Sequence, residues 1–297
     1  MARINYIRST FFLKPSSKIA CSDFIFVLRS VFGKELRKMS CVASNNICES
    51  CIYNKKCTYS NLFESIIPKE NQCLQGVNKI SHPFSFSGYN ENSFSMTVLG
   101  KAVSYLPYIY AAFVRAGRGG IFKERIQFTV VDLQVKGMSI LKSENELNMN
   151  IEPDVWSSTE SNDLHKKEIL VELMSPLRFK VNGKYTSDFS AEDFFACLYR
   201  RMRTICLLYG EFPLEYNYNA YDVKNRFYIT ERRLRWVDEV HYSARQKNAM
   251  KLGGIMGSFK LQGSFTDFEL SLLEFGKIAN AGKNVSFGLG MMDYWVR

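Results

Sequence analysis

Four of the eight cysteines lie in one short segment and could together hold a metal ion. They are Cys41, Cys48, Cys51 and Cys57, and short polar loops join them. Four thiolates are a common ligand set of structural Zn²⁺, which is bound tetrahedrally. An iron–sulfur cluster uses the same ligands. The spacing therefore predicts a structural metal site without separating zinc from iron–sulfur. Cys197 and Cys206 lie in an apolar helical stretch, which predicts core thiols.

A glycine-rich segment at residues 282–290 could bring backbone close to a phosphate. Gly282, Gly288 and Gly290 have no Cβ, so their N–H groups can approach a phosphodiester closely, and Lys283 adds a positive charge. The order of residues is that of neither a nucleotide-binding P-loop nor a dinucleotide fingerprint. The spacing predicts a contact with a nucleic-acid backbone, and an ordinary turn is the alternative.

The histidines offer one further chemical group. His241 lies beside Tyr242, Arg245 and Lys247, so an imidazole, a hydroxyl and two cations are close in sequence. Imidazole titrates near neutral pH and suits general acid–base catalysis, while cations stabilise a developing phosphorane. This set predicts phosphodiester cleavage, and a histidine that only contacts nucleic acid is the alternative. His82 and His165 are interpreted as a structural residue and a solvated loop residue.

The net charge indicates the class of partner. Lys and Arg number 39 against 29 Asp and Glu, a net charge of +10. Residues 200–260 contain twelve basic and six acidic residues, which is +6 in about a fifth of the chain. A concentrated positive field attracts phosphate and favours a nucleic-acid partner over a merely basic surface. The candidate phosphate contacts are Arg200, Arg201, Arg245, Lys247 and Lys251, with Arg118 and Lys123 in the first half.

Length and composition bound the class of protein. A chain of 297 residues predicts about two domains of roughly 150 residues each. No apolar run reaches the ~18 residues that a membrane helix needs, and the first residues lack a signal-peptide hydrophobic region. We therefore expect a cytoplasmic protein without structural disulfides and without a membrane partner.

Hydrophobic periodicity predicts the element order β-α-β-β-α-β twice. The predicted elements of the first half are residues 4–13, 24–39, 82–88, 94–98, 108–116 and 125–135. Those of the second half are residues 168–181, 189–209, 226–236, 254–262, 267–275 and 287–296. This order predicts an α+β fold of two tandem ferredoxin-like domains. The predicted divisions are residues 1–140 with the four-cysteine insertion 41–57, a linker at 141–166, and 167–297 with the glycine loop 282–290.

Short motifs along the whole chain resemble a known family in order and spacing. They are LRSVFGKELR at 28–37, CTYSNLFE at 57–64, GRGG at 117–120, SPLRFK at 175–180, YRRMR at 199–203, YSARQ at 242–246, GGIMG at 253–257 and GKNVSFGLG at 282–290. With the duplicated fold and basic charge, these segments resemble the Cas six family of CRISPR-associated RAMP endoribonucleases. The four-cysteine insertion is similar to one branch of that family.

The resemblance implies cleavage of CRISPR repeat RNA without a catalytic metal. The ribose 2′-OH would attack the adjacent phosphate, leaving a 2′,3′-cyclic phosphate and a 5′-OH. His241 and Tyr242 are the candidate catalytic groups. Better-known members carry a catalytic histidine near the end of the first helix, where this chain has Lys34, Arg37 and Lys38. Lys38 therefore joins the catalytic candidates, while Arg29, Lys34 and Arg37 join the RNA contacts.

The resemblance also implies the partners. They are CRISPR repeat RNA or crRNA, together with other CRISPR effector or adaptation proteins. The alternative function is a non-catalytic RAMP subunit that binds crRNA within an effector complex. Zinc would be structural in either case, because four thiolate ligands leave no open coordination position.

Overall fold

The computed structural model describes residues 1–19, 24–43, 47–64, 81–144, 146–161, 163–211, 217–223, 225–238, 240–243 and 248–297. The chain divides into two compact units. The N-terminal unit is Asn5–Val155, and the C-terminal unit combines Met1–Ile4 with Trp156–Arg297.

The first half of the chain alternates strands and helices in the predicted order. Its strands are β1 (Arg3–Pro15), β2 (Phe84–Asn90), β3 (Ser93–Leu99), β4 (Phe128–Val135), β5 (Met138–Ser139), β6 (Leu141–Ser143), β7 (Glu146–Leu147) and β8 (Asp154–Ser157). Its helices are α1 (Phe24–Ser40) and α2 (Leu106–Gly119). The main sheet runs β2-β3-β1-β4-β5 with antiparallel neighbours, so β1 is central.

Aromatic side chains fill the space between this sheet and its helices. Phe11 of β1 and Phe94 of β3 stack with ring centroids 4.8 Å apart. Phe113 of α2 meets Phe11 at 5.0 Å and stacks on Phe32 of α1 at 4.9 Å. All four rings are fully buried. Alternation along β1 and helical spacing along α1 and α2 therefore bring one apolar face of each element into a common core.

The second half repeats this arrangement. Its strands are β9 (His165–Leu177), β10 (Lys180–Val181), β11 (Lys184–Tyr185), β12 (Phe227–Val237), β13 (Val240–Ser243), β14 (Asn248–Lys251), β15 (Gly254–Phe265) and β16 (Met292–Val296), and its helices are α3 (Ala191–Tyr209) and α4 (Asp267–Ala279). The main sheet runs β12-β15-β9-β16, all antiparallel. Capping boxes at Ser190 with Asp193 and Thr266 with Glu269 begin the two helices.

The predicted tandem ferredoxin-like fold is confirmed. In each unit the strand that starts the β-α-β-β-α-β order is central, with the third strand on one side and the fourth on the other. Several strand boundaries differ from prediction by a few residues, and two of these differences have a clear local cause. The strand predicted from residue 125 begins at Phe128, because Ile121 and Ile126 close a tight turn before it. The last strand begins at Met292, because Val285–Phe287 forms a 3₁₀ turn.

The segment predicted as a linker, residues 141–166, is largely structured. It contains β6, β7, β8 and the start of β9, and the two units divide within it at Val155. Trp156 is 3 % exposed, and its indole N–H donates to the Ser271 carbonyl at 3.0 Å. The prediction failed because the polar residues that flank Trp156 favour a loop. The single buried tryptophan nevertheless holds the segment in place. Among the described residues, no helix is long and apolar enough to cross a membrane.

Candidate RNA-processing site

The end of α1 carries an ion-pair cluster that includes Lys38. The Lys38 ammonium lies 2.6 Å from Oε1 of Glu35, and Arg115 of α2 lies 3.5 Å from the other oxygen of that carboxylate. The Glu35 side chain is only 12 % exposed, whereas the two cations are about half exposed. One largely buried carboxylate thus holds two surface cations beside each other. Lys34 lies on the exposed face of the same helix.

Arg29 and Arg37, both predicted RNA contacts, lie against aromatic rings. The Arg29 guanidinium lies 5.2 Å from the Phe63 ring centroid and 3.3 Å from Nε2 of His82. The Arg37 guanidinium lies 5.2 Å from the Tyr59 ring centroid and also donates to the Cys41 sulfur. Burial opposes the charge of Arg37, but Tyr59 and the Cys41 and Cys48 thiols outweigh it and raise the pKa of the guanidinium. Both residues are therefore already engaged within the protein.

The four clustered cysteines line one small cavity. Cys41, Cys48, Cys51 and Cys57 surround a space of about 20 Å³, which is the order of one water molecule. All four are half-buried and reduced. The Cys41 thiol donates to the Ala43 carbonyl at 3.7 Å, and the Cys57 thiol donates to the Ser40 carbonyl at 3.9 Å. The segment predicted to hold a metal therefore lines one cavity with all four cysteines.

One thiol of this cavity, that of Cys48, has a pKa above its ordinary value. Burial raises the pKa of the Cys48 thiol, and the Glu64 carboxylate raises it further, while Arg37 acts in the opposite direction. Within the described part of the chain, no three His, Cys, Asp or Glu side chains form a ready metal-binding group. Deprotonation and rotation of the side chains would have to precede tetrahedral coordination.

The predicted catalytic pair lies on a hairpin. His241 and Tyr242 are on β13, which pairs with β14 so that His241 is opposite Met250 and Tyr242 is opposite Ala249. Lys251 ends β14. Arg245 and Lys247 lie outside the described residues. The structure thus places the histidine and tyrosine in the C-terminal unit, whereas Lys38 belongs to the N-terminal unit.

The glycine loop is held by the protein's own backbone, which corrects its predicted role. The N–H of Gly290 donates to the Pro176 carbonyl at 3.0 Å, and that of Gly288 donates to the Val285 carbonyl at 3.0 Å. The N–H of Gly282 donates to the Cys197 sulfur. All three donors expected to contact RNA are therefore in use. The prediction of backbone donation by Gly282, Gly288 and Gly290 is wrong, because spacing shows close approach without showing the partner.

The glycines are required for internal packing. A Cβ at Gly290, where φ is +71°, would lie 1.8 Å from the Ala281 carbonyl oxygen. A Cβ at Gly282, where φ is +78°, would lie 2.5 Å from the Arg178 carbonyl oxygen. Only glycine fits both the positive φ and the close backbone contact. Lys283 is exposed, and its N–H donates to the Arg178 carbonyl at 2.7 Å. The loop therefore presents Lys283 at the surface from a fixed backbone.

The neighbouring arginines of α3 have different environments. Arg200 is exposed, whereas Arg201 is 3 % exposed and donates to backbone carbonyls of the α4 terminus. The prediction that Arg201 contacts RNA is therefore wrong, because its position on the helix turns it into the core. Arg200 and Lys283 are both close enough to Cys197 to act on its thiol electrostatically. Both side chains are exposed.

Arg118 and Lys123 flank a tight turn after α2. Ile121 and Ile126 bridge across this turn, and Lys123 is exposed on it. The Arg118 guanidinium lies 2.6 Å from the Glu144 carboxylate, with both side chains more than half exposed. Such an exposed pair can exchange its carboxylate for a phosphate at little cost.

Arg178 was not among the predicted contacts. Its guanidinium donates to the Gly253 carbonyl at 2.5 Å and lies 3.9 Å from the Tyr185 ring centroid. It thereby joins β9, the start of β15 and the glycine loop, whose Lys283 is bonded to the Arg178 carbonyl. The motif SPLRFK contains this arginine, so its place in the motif is the only sequence signal that marks it.

Two family models match this sequence. The AF_1859_N N-terminal domain matches residues 5–155, slightly more than half of the chain. The model described as CRISPR-associated endoribonuclease Cas6 matches residues 171–292. No curated protein matches the sequence.

Solved structures of Cas6 proteins have a similar fold. A product complex of Cas6 (TTHB231) from Thermus thermophilus has a TM-score of 0.57 at 12% identity, covering 98% of this chain and 99% of that one. A product complex of Cas6 (TTHA0078) has a TM-score of 0.52 at 14% identity, covering 98% and 99%. A partial Cas6-RT-Cas1--Cas2 complex has a TM-score of 0.52 at 14% identity, covering 100% of this chain and 46% of that one. At these identities the structures establish the fold, and the sequence match over residues 171–292 assigns this part of the chain to the Cas6 family of CRISPR-associated endoribonucleases.

Proposed function

We propose that this chain processes precursor crRNA by a metal-independent transesterification within the CRISPR repeat. The 2′-oxygen of the ribose forms a bond to the adjacent phosphorus as the bond from phosphorus to the 5′-oxygen breaks. A base takes the 2′-OH proton and an acid gives a proton to the leaving 5′-oxygen, which produces a 2′,3′-cyclic phosphate and a 5′-OH. The observation that carries the proposal is the Cas6 match over residues 171–292, which includes the hairpin with His241.

The proposed roles follow from the chemistry of the candidate groups. His241 acts as the acid or base, since imidazole exchanges protons near neutral pH. Tyr242 positions the RNA through its hydroxyl. Lys38 is a separate candidate in the N-terminal unit, where its location beside Arg115 on the shared Glu35 carboxylate suits it to stabilise negative charge on a phosphate. Arg200, Lys283, Arg118 and Lys123 supply exposed positive charge for the phosphate backbone.

The roles can be tested by single-turnover cleavage of a labelled CRISPR repeat RNA in EDTA. His241→Ala should lower the rate by about 100-fold or more, as expected for loss of a general acid or base. His165→Ala is the matched control, because His165 pairs with Asp267 at 3.1 Å and has no proposed role. An unchanged rate in His241→Ala would remove His241 and turn the search to Lys38 and Tyr242.

A second candidate function is retained because the first helix lacks a histidine. Residues 24–40 contain Lys34, Arg37 and Lys38 but no imidazole, so a non-catalytic subunit that binds crRNA within an effector complex fits the same fold. Wild-type protein that binds repeat RNA tightly and never cuts it, with or without added divalent metal, would establish this second function.

We also propose that Cys41, Cys48, Cys51 and Cys57 hold a structural Zn²⁺. The support is the donor set itself, since four reduced thiols line one cavity large enough for a single ion. When bound, the metal would tie the end of α1 to the segment that precedes Ser60 and would keep no position open for substrate. The reduced thiols that such a site requires agree with the cytoplasmic location proposed for the protein.

Metal analysis of the purified protein tests the zinc proposal. We expect one zinc per chain in the wild type and none in the Cys48→Ser, Cys51→Ser double variant. Cys197→Ser is the matched control, because Cys197 is buried in α3 and lies outside the cavity. Iron with visible absorption in place of zinc would assign an iron–sulfur cluster to the same ligands, and metal-free, equally stable protein would reject both.

The proposed partners are CRISPR repeat RNA and CRISPR adaptation proteins. The second rests on the similarity of this fold to part of a Cas6-RT-Cas1--Cas2 assembly. Size-exclusion chromatography of the purified chain mixed with purified Cas1 and Cas2 from the same genome tests it. Co-elution supports the adaptation partner, and separate elution at micromolar concentration rejects it.

A further inference from the structure

Arg201 is a buried cation that the proposed chemistry does not use. It lies in the middle of α3 and is 3 % exposed. Its Nε donates to the Ala279 and Asn280 carbonyls at 2.9 Å each, and Nη2 donates to the Ala279 carbonyl at 2.7 Å. Within the described residues, no carboxylate pairs with Arg201 and its Nη1 has no hydrogen-bond partner. Burying a guanidinium without a carboxylate partner costs free energy. Its hydrogen bonds to the Ala279 and Asn280 carbonyls must offset this cost.

The carbonyls that Arg201 binds mark the transition from α4 to the glycine loop. Ala279 is the last residue of α4, and Asn280 leaves the helix with φ of +60°. The terminal carbonyls of a helix lack intrahelical partners and carry partial negative charge, which a guanidinium satisfies. Arg201 therefore caps α4 from a different helix and fixes the direction in which the chain enters the loop.

A second contact from α3 holds the next part of the loop. Cys197 lies one turn before Arg201, and its sulfur accepts the N–H of Gly282. The following residue, Lys283, donates its N–H to Arg178 and exposes its side chain. One face of α3 thus sets the path of residues 279–282, immediately before the exposed lysine. Arg200, one residue before Arg201, presents its own charge on the outer side of α3.

We propose that Arg201 is a positioning residue that holds the α4 terminus and so orients Lys283 toward the phosphate backbone of the RNA. The proposal rests on the RNA-binding function proposed above. Arg201 itself does not touch RNA, because it is buried on the opposite side of the backbone it holds. The loss of Arg201 should therefore remove the contribution of Lys283 to binding as well as lowering the stability of the fold.

The test is a double-mutant cycle on RNA binding. Wild type, Arg201→Met, Lys283→Met and the double variant are titrated with repeat RNA carrying a 2′-deoxy nucleotide at the scissile position, over a range of salt concentrations. Loss of one phosphate contact should reduce the slope of log Kd against log salt by about 0.7 to 0.9. We expect this reduction in each single variant and no further reduction in the double variant, because both remove the same contact.

The control is Arg226→Met. Arg226 is a largely buried arginine of the same unit, but it pairs with Glu269 away from the loop. It should lower the melting temperature and leave the salt slope unchanged, with folding of every variant confirmed by circular dichroism. If Arg201→Met does not fold, Arg201→Lys replaces it in the cycle, since lysine keeps the charge but cannot donate to both carbonyls at once.

Four outcomes would overturn the inference. Reductions that add in the double variant would mean that Arg201 and Lys283 act independently. A folded Arg201 variant with the wild-type slope would leave Arg201 a purely structural residue. A wild-type slope in Lys283→Met would show that Lys283 makes no contact with an RNA phosphate, while leaving the proposed function intact. Wild-type protein that does not bind repeat RNA at all would reject the proposed function, and the inference with it.

Discussion

The four-cysteine segment and the glycine loop differ in how far apart in sequence their backbone hydrogen-bond partners lie. The backbone hydrogen bonds of Cys48–Cys57 join residues only three or four apart, as in Cys51 to Cys48 at 3.2 Å and Cys57 to Tyr53 at 2.9 Å. Those of the glycine loop reach the end of β9 and the residue after it, as in Gly290 to Pro176 and Lys283 to Arg178. The glycine loop is therefore ordered by its own long-range backbone contacts, whereas the cysteine segment has four side chains suited to an added ligand.

The largest effect should come from removing that ligand. The Cys48→Ser, Cys51→Ser variant should lower the free energy of unfolding of the N-terminal unit by about 4 kcal/mol or more, because loss of a structural metal is among the most destabilising changes. Limited proteolysis should then cut within residues 41–64 and spare the glycine loop. Protection of that segment equal to the wild type would show that it needs no ligand.

The next effect should come from breaking the glycine loop. Gly290→Ala places a Cβ 1.8 Å from the Ala281 carbonyl oxygen, and we expect a loss of about 3 kcal/mol in thermal or denaturant unfolding. Gly119→Ala is the matched control, because nothing lies within 4 Å of its added Cβ at the end of α2. It should be neutral or slightly stabilising. Equal stability of the two variants would contradict the packing role assigned to the loop glycines.

A smaller effect compares an asparagine just before the glycine loop with an asparagine just after the cysteine segment. Asn280 is 1 % exposed and donates to the Leu289 carbonyl at 3.2 Å, so Asn280→Ala should cost about 2 kcal/mol. Asn61 is half-buried and donates to the Lys55 carbonyl at 3.1 Å and to the Tyr105 hydroxyl at 3.0 Å, so Asn61→Ala should cost about 1 kcal/mol. Denaturant midpoints of the two variants measure the difference. The reverse order would mean that the cysteine segment depends on its hydrogen bonds more than the glycine loop does.

The smallest effect concerns two exposed lysines. Lys55→Met and Lys283→Met should each change the unfolding free energy by less than about 0.5 kcal/mol. Only Lys283→Met should weaken RNA binding, since Lys55 is assigned no contact with RNA. Equal weakening by both variants, measured by filter binding, would extend the RNA surface to the cysteine segment.

The sequence predicted the elements well where periodicity controls them. Helix α1 was expected at residues 24–39 and is Phe24–Ser40, and α3 was expected to end at residue 209, as it does. Apolar spacing decides which face is buried, and this depends on the local sequence. The turn at Ile121–Ile126 and the structured segment around Trp156 were missed, because each depends on a partner distant in sequence or on unusual φ angles.

The candidate site was predicted less completely. The four cysteines line one cavity, but the described residues form no ready metal-binding group, so the metal site stays a prediction. The glycine loop was placed correctly in the chain but given the wrong hydrogen-bond partners, since spacing alone does not name an acceptor. The burial of Arg201 could have been predicted from its spacing to a core residue. It lies four residues after Cys197, which was assigned to the core, and residues four apart share a helix face.

The central claim is that this Cas6-family chain cuts repeat RNA by attack of the ribose 2′-OH. The most direct measurement is single-turnover cleavage in excess EDTA with end-group analysis of the products, using repeat RNA with and without a 2′-deoxy nucleotide at the cut site. We expect one cut that leaves a 2′,3′-cyclic phosphate and a 5′-OH, and no cut in the deoxy substrate. Cleavage of the deoxy substrate, or activity that appears only with added divalent metal, would contradict the account.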